Sequence, residues 1–397
     1  MAAREELDQF RSEVVKFIEG ELPDALKNVS TIRSAFEEEP GGSDHANPAL
    51  KSAKSEWREA LRTKGWLAPA WPAKYGGGGL SPAHQFILID EFIKHNAPRF
   101  FDMGLGMIGP TIISHGREEQ KERMLPPILS GEDEWCELFS EPAAGSDLAG
   151  LKCRAVKDGD EYVVNGQKIW TTYANRANWG LLMARTDAEA PRHKGISMLR
   201  VNMKAPGVTV RLINNLTNHE FNEVFFEDVR VPATDLIGEE NRGFYYLMSL
   251  LDTERSAVSQ VASIEKTLES LFQLARSEKL PPLSKAAKAE LVNRAIEVEV
   301  LRGLSQGVAE LQFKGRPPVH QASVLKLYHT ELAQRIASTG MKMIETHGLL
   351  WRGENRAPLD GMIAQQYLYA STLTLQVGTS EIQRNIIATR GLGLQRG

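Results

Sequence analysis

Two short segments hold most of the residues whose types suit chemistry. The first, Phe139-Ser140-Glu141-Pro142-Ala143-Ala144-Gly145-Ser146-Asp147, places hydroxyls and backbone amides on a loop shaped by proline and glycine. The second, Gln167-Lys168-Ile169-Trp170-Thr171-Thr172, follows about twenty residues later and ends on an aromatic ring and two hydroxyls. Together they suit a flat heteroaromatic ring with several carbonyls and ring nitrogens: the loop hydrogen-bonds its edge, and Trp170 covers a face. Taken alone, the loop reads better as a capped turn with Ser146 or Asp147 as a helix N-cap, and the second segment is what changes the case.

Other motifs are weaker. Gly104, Gly106 and Gly109 spell G-x-G-x-x-G, but the preceding His95, Asn96, Pro98, Arg99 and Asp102 do not make the buried strand that a dinucleotide loop requires. These glycines are expected to permit close helix packing instead. Cys136 and Cys153 form neither a metal-spaced cluster nor a disulfide framework, which suits a reducing compartment. His219 and His347 read as hydrogen-bonded structural histidines, and Lys168 as a surface residue.

The elements that position these groups follow from periodicity. Leu7, Phe10, Val14 and Phe17, and later Phe86, Ile89, Phe92 and Ile93, recur at helical steps. From about residue 131 the pattern changes to short β-rich runs: Tyr162-Val163-Val164 between Asp158-Gly159 and Asn165-Gly166, then Ile196–Asn202, Val208–Ile213 and Glu223–Val231. Helical period returns after Gly238, with helices expected at 241–277, 284–314, 317–349, 361–376 and 380–390. The class is therefore α+β and multidomain. An N-terminal all-α domain spans 1–130, a middle antiparallel β domain 131–238, and a C-terminal helical bundle 239–397.

Composition narrows the function classes. With 397 residues, 42% hydrophobic and 25% charged, the chain has ample core for several packed units. A formal net charge of −4 gives no basic field for a nucleic-acid backbone. No stretch approaches the ~18 apolar residues of a membrane span, and the acidic start Met1 to Asp8 lacks signal or transit character, so a cytoplasmic location is expected.

Four segments in order resemble the acyl-CoA dehydrogenase family over nearly the whole chain: the SEPAAGSD loop, the hairpin Asp158 to Thr171, Phe226-Glu227-Asp228-Val229-Arg230-Val231-Pro232, and Gly378-Thr379-Ser380-Glu381-Ile382-Gln383-Arg384. The resemblance implies a helical bundle, a β domain and a C-terminal four-helix bundle, with FAD bound. Ser140, Ser146, Trp170, Thr171 and Thr172 would then hold the flavin, together with Arg276, Gly348, Thr379 and Glu381. The implied reaction removes an α-proton from an acyl-CoA thioester as the β-hydrogen leaves as hydride to flavin N5. An electron-transferring flavoprotein would be the reoxidant.

Many members place the catalytic carboxylate immediately before the Gly-Thr-Ser segment, where this chain has Val377. A second family solution puts it on the first C-terminal helix, before an arginine; here that is Glu254, followed by Arg255. Isovaleryl-, long-chain- and steroid side-chain-type branches share this arrangement. Glu254 is therefore expected to be the base, Val377 to give its backbone N–H to the thioester oxygen, and Ser146 and Arg255 to contact substrate. The family's diphosphate-gripping segments are reduced here to Arg276 and Gly348, with Glu345 where an amide is usual. That departure fits either a homotetramer or an α2β2 heterotetramer in which a second chain completes the site. A half-site subunit and an oxygen-using acyl-CoA oxidase or flavin monooxygenase are the competing readings.

Overall fold

The computed structural model describes residues 2–27, 48–100, 102–217, 219–253, 258–277, 282–351 and 353–395. They divide into two compact units. One carries the N-terminal helices and the sheet; the other carries Phe86–Ile93 and the C-terminal helices.

In the first unit, α1 (Ala2–Glu21) buries Phe10, Val14 and Ile18, a four-residue stripe facing the core. Phe17 meets Trp57 of α3 (Pro48–Lys64) and Trp66 edge-on, at ring separations of 5.6 and 4.8 Å. A short helix, α2 (Asp24–Lys27), lies between them in sequence; α4 (Pro82–Lys94), most of which belongs to the other unit, follows α3. Next come α5 (Gly109–His115) and α6 (Glu118–Ser130). The glycines of the false dinucleotide motif serve packing, as expected. A Cβ on Gly109 would lie 1.9 Å from the Trp71 ring, whose indole N–H donates to the Leu105 carbonyl at 3.2 Å.

The sheet has eight strands: β1 (Trp135–Leu138), β2 (Arg154–Asp158), β3 (Glu161–Thr172), β4 (Trp179–Arg185), β5 (Ile196–Asn202), β6 (Val208–Ile213), β7 (Phe221–Pro232) and β8 (Leu236–Ile237). Their order is β6-β7-β3-β2-β4-β5-β8, mostly antiparallel, with β1 added in parallel to β4. β4 and β5 are buried almost throughout, so their apolar runs do not alternate. Polar ties fix the helices to the sheet: Gln120 of α6 donates to the carbonyls of Thr234 and Leu236 at 2.9 and 2.7 Å, and Arg123 pairs with the buried Asp235. The last helix of this unit is α7 (Gly243–Thr253).

The second unit contains α8 (Val258–Arg276), α9 (Lys285–Phe313), α10 (Val319–Ile344), α11 (Met362–Leu373) and α12 (Ser380–Ile386). Leu271, Leu301, Leu325, Leu332, Ile336 and Ile363 form its dry centre. Ser284 caps α9 by accepting from the Ala287 amide at 3.1 Å. No helix among the described residues is long and apolar enough to cross a membrane.

Replacing Gly109 with alanine should cost roughly 2 kcal/mol, because the new methyl must displace a buried indole. Thermal unfolding would register this as a clear loss of melting temperature, and an unchanged transition would contradict the packing role.

Candidate active site

β1 runs directly into the loop that begins at Phe139, and the loop is anchored by charge. Lys168 on β3 is wholly buried and pairs with Glu141 at 2.8 Å, while its ammonium also donates to the Phe139 carbonyl at 3.0 Å. Glu141 in turn accepts from the amides of Lys152 and Cys153 at 2.6 and 2.8 Å. Expecting Lys168 at the surface was therefore wrong. Burial pushes its pKa below the ordinary lysine range, opposed by the charge and hydrogen bond of Glu141. The ion pair and its four hydrogen bonds join the loop, the turn before β2 and the end of β3.

One more bond brings the two sequence motifs together: the Ile169 amide donates to the Ser140 carbonyl at 2.9 Å. Just beyond, the β3–β7 register slips. Lys168 faces Val224 while Thr171 faces Asn222, which leaves an extra residue on β3 and makes a bulge. Trp170 sits in that bulge at φ +61°, with 57% of its surface exposed and Phe221 edge-on at 6.0 Å. A non-glycine residue at positive φ is a costly choice for a surface loop, and here it turns a large ring outward. Thr171 is buried, and its hydroxyl has no partner among the described residues. Asn222 accounts for its carbonyl at 3.0 Å. Thr172 and Ser140 are half-buried and Ser146 is exposed. An outward indole, a buried orphan hydroxyl and a neighbouring serine fit one edge and one face of a flat heteroaromatic ring.

Nearby groups are held electrically silent. His219 packs against Tyr173 and Phe221, at 5.5 and 4.6 Å, and burial with the Arg176 charge pulls its pKa down to about 4. Burial raises the Cys153 thiol to about 11 and pushes Cys136 higher still. Neither sulfur is a thiolate at neutral pH.

The second unit carries the other group of expected residues. Val377 lies between α11 and α12 at φ +52°, 52% exposed, followed by Gly378 at φ +84°. For a β-branched residue this conformation costs on the order of 1–3 kcal/mol and persists only when its surroundings impose it. Three carbonyls around it are bound by α12. Thr374 accepts from the Ser380 amide at 2.9 Å, Val377 from Gln383 Nε2 at 3.4 Å, and Gly378 from Gln383 Nε2 at 3.1 Å. Among the described residues no acceptor faces the Val377 N–H. Thr379 caps α12, accepting from the Ile382 amide at 3.3 Å, and Glu381 is exposed in its first turn. Burial pushes the ammonium of Lys326, on α10, down to about 8, against the pull of Glu381 and Glu331. Glu381 also borders an open cavity of about 740 Å³, whose rim mixes Arg294, Arg335, Lys342 and Arg384 with Glu290 and Glu331. Arg276 ends α8 with its guanidinium 5.9 Å from the Phe272 ring centroid, and Gly348 is buried after α10. Glu254 and Arg255 lie outside the described residues. No group of three or more His, Cys, Asp or Glu side chains among the described residues is arranged to hold a metal ion.

Two predictions follow from the first unit. Glu141→Ala should lose roughly 3–5 kcal/mol by leaving a buried ammonium unpaired, and adding Lys168→Met should recover part of that loss. Urea unfolding of the single and double variants tests this; a single variant as stable as the parent would refute it. His219 stays neutral in the fold well below its usual pKa, so the unfolded chain binds the extra proton first. Stability should therefore fall as pH drops from about 6.5 towards about 4, and His219→Phe should flatten that slope in melts across the same range.

Comparison with known proteins places the chain by family and fold. The N-terminal, middle and C-terminal domain models of acyl-CoA dehydrogenases match residues 4–132, 136–229 and 241–392. Acyl-CoA dehydrogenase IpdE1 of Mycobacterium tuberculosis is 32% identical over 99% of both chains. Acyl-CoA dehydrogenase FadE34 of the same organism is 37% identical over 85% of this chain, which spans 46% of that longer protein. Among solved structures, the Tcur3481-Tcur3483 steroid ACAD superposes with a TM-score of 0.83 at 30% identity, covering 100% of this chain and 99% of that one. The ChsE4-ChsE5 complex from Mycobacterium tuberculosis gives 0.80 at 31% identity, covering 99% and 98%. By sequence along its whole length and by fold, the chain belongs to the acyl-CoA dehydrogenase family of FAD-dependent oxidoreductases.

Proposed function

We propose that the chain catalyses α,β-dehydrogenation of an acyl-CoA thioester to the trans-2-enoyl-CoA. An α-proton beside a thioester is a weak acid, so its removal needs a placed carboxylate and a donor for the developing enolate oxygen. Glu254 takes the proton, and the Val377 N–H receives the oxygen. The observation that carries this reading is the Val377 amide, which has no acceptor among the described residues, while the Thr374, Val377 and Gly378 carbonyls beside it are bound by α12. Valine cannot act as a base, but its backbone donates as well as any other residue's.

Bound FAD supplies the two-electron acceptor that receives the β-hydrogen as hydride. The chain's part is to hold it: Ser140, Ser146, Trp170, Thr171 and Thr172 at the ring, and Arg276, Gly348, Thr379 and Glu381 at the rest. The orphan Thr171 hydroxyl and the outward Trp170 ring support the first group. Arg255 and Ser146 contact the substrate.

The acyl group in this reading is bulky and ring-bearing, in the manner of a steroid side chain. Its support is the resemblance to a solved steroid ACAD. Two structures similar to this chain pair two named chains, and an α2β2 assembly is the arrangement we favour. An exposed stripe on α9, Val292, Ile296 and Val300, supplies a four-residue apolar ridge for such a partner. Electrons pass from the reduced flavin to an electron-transferring flavoprotein in the cytoplasm.

Anaerobic titration of the co-purified, FAD-loaded protein with a panel of acyl-CoAs tests the reading, because flavin bleaching reports competence and substrate together. Glu254→Gln should leave the flavin bound and slow bleaching by about 10³-fold. Bleaching at the parent rate would remove Glu254 from the mechanism. Rapid oxygen consumption in place of acceptor reduction would make the chain an oxidase.

A further inference from the structure

The turn that presents Val377 is held by an ammonium that is not part of the α12 sequence signature. Lys326 on α10 donates to the Gly378 carbonyl at 2.8 Å and to the Leu373 carbonyl, the last of α11, at 3.1 Å. It reaches across 52 residues of sequence to do so. We propose that Lys326 is a positioning residue for the dehydrogenation: it fixes the Leu373–Gly378 turn so that the Val377 N–H is aimed at the thioester oxygen. This rests on the reading of Val377 given above and names what enforces it.

Three observations carry the inference. First, the chain is tied down on each side of Val377. Before it, the Gln376 amide donates to the Thr372 carbonyl at 3.0 Å. Beyond it, the Val377 carbonyl is bound by Gln383, and the Gly378 carbonyl by both Lys326 and Gln383. Such ties keep a β-branched residue at φ +52°. Second, Gly378 also lies at positive φ, +84°, so the left-handed backbone runs over two successive residues and only the first of them is strained by a side chain.

Third, the ammonium is a costly choice for a purely structural bond. It is half-buried, and burial pulls its pKa to about 8 although Glu381 and Glu331 favour the charged form. A neutral amide such as Gln383 already binds the same carbonyl. A cation at the C-terminus of α11 does more, because it opposes the negative end of that helix and binds two carbonyls with a charge-assisted donor. Both bonds go to carbonyls of Leu373 and Gly378 and neither to Val377, so Lys326 acts through the turn and not by contact with substrate.

The test uses the FAD-loaded protein and an enoyl-CoA labelled with ¹³C at the thioester carbonyl, read by infrared difference spectroscopy. A hydrogen bond from Val377 lowers the carbonyl stretch of the bound product. Lys326→Met should lose most of that shift and lower kcat by about 10²-fold, with KM changed little. Lys326→Arg, which keeps the cation and its donors, should retain most of both. A Lys326→Met protein with the full shift would overturn the proposal. If Lys326→Met does not fold, Lys326→Gln, which gives up the charge and the reach of the ammonium, serves instead, and an undiminished shift there would equally overturn it. Absence of any shift in the parent protein would instead defeat the Val377 reading, so the two failures are distinct.

Discussion

The buried pair between Lys168 and Glu141 is the interaction on which the first unit's chemistry depends. Each charge excluded from water carries a desolvation cost that only good geometry offsets, and here four hydrogen bonds converge on the two side chains. Because the bonds reach three separate chain segments, the pair sets their mutual spacing. Ser140 reaches Ile169 by a backbone bond, and Trp170 is thrown outward by the bulge that follows directly. Without the pair, the loop from Phe139 to Asp147 would be a polar turn with no fixed relation to β3.

The second unit solves a similar positioning problem with backbone strain. Val377 occupies a conformation suited to glycine, and α12 holds it by binding the Thr374, Val377 and Gly378 carbonyls. Ion pairing in one unit and imposed dihedral angles in the other reach the same end: a polar group is presented in one orientation because its neighbours have no alternative. In both cases the residue at the surface is the conspicuous one, and the residue that holds it is buried and unremarkable in sequence.

That contrast explains how much of the protein was legible from its residues. The order of helices, sheet and helices followed from periodicity, and strands such as β5 and β6 matched their β-branched runs residue for residue. β1 and β4 were missed, because β4 is a nearly continuous apolar run without the alternation that marks a half-buried strand. Ser140, Trp170 and Thr171 were found as motif residues, but Lys168 was assigned to the surface on its charge alone. Its signal was present in principle: a lysine flanked by strand residues, two motifs away from an isolated glutamate. Burial of a charge is a property of the pair, however, and nothing local to either residue announces the other. Lys326 was invisible for the same reason, since its partners are backbone carbonyls about fifty positions away. The glycines at 104, 106 and 109 carried the opposite lesson, because a motif without its strand becomes a space for an indole.

One consequence concerns durability. The amide of Cys153 helps to bind Glu141, while its thiol is kept protonated by burial, and Cys136 is enclosed in the same core. Oxidants attack thiolates far faster than thiols, so both sulfurs rest at the unreactive end of cysteine chemistry. Flavin enzymes work beside electron pairs that molecular oxygen can divert into peroxide. A chain whose two thiols are sealed into its flavin-domain sheet tolerates such leakage without losing the cysteines that pack behind its loop. Peroxide is left to attack exposed thioethers such as Met248, away from that core.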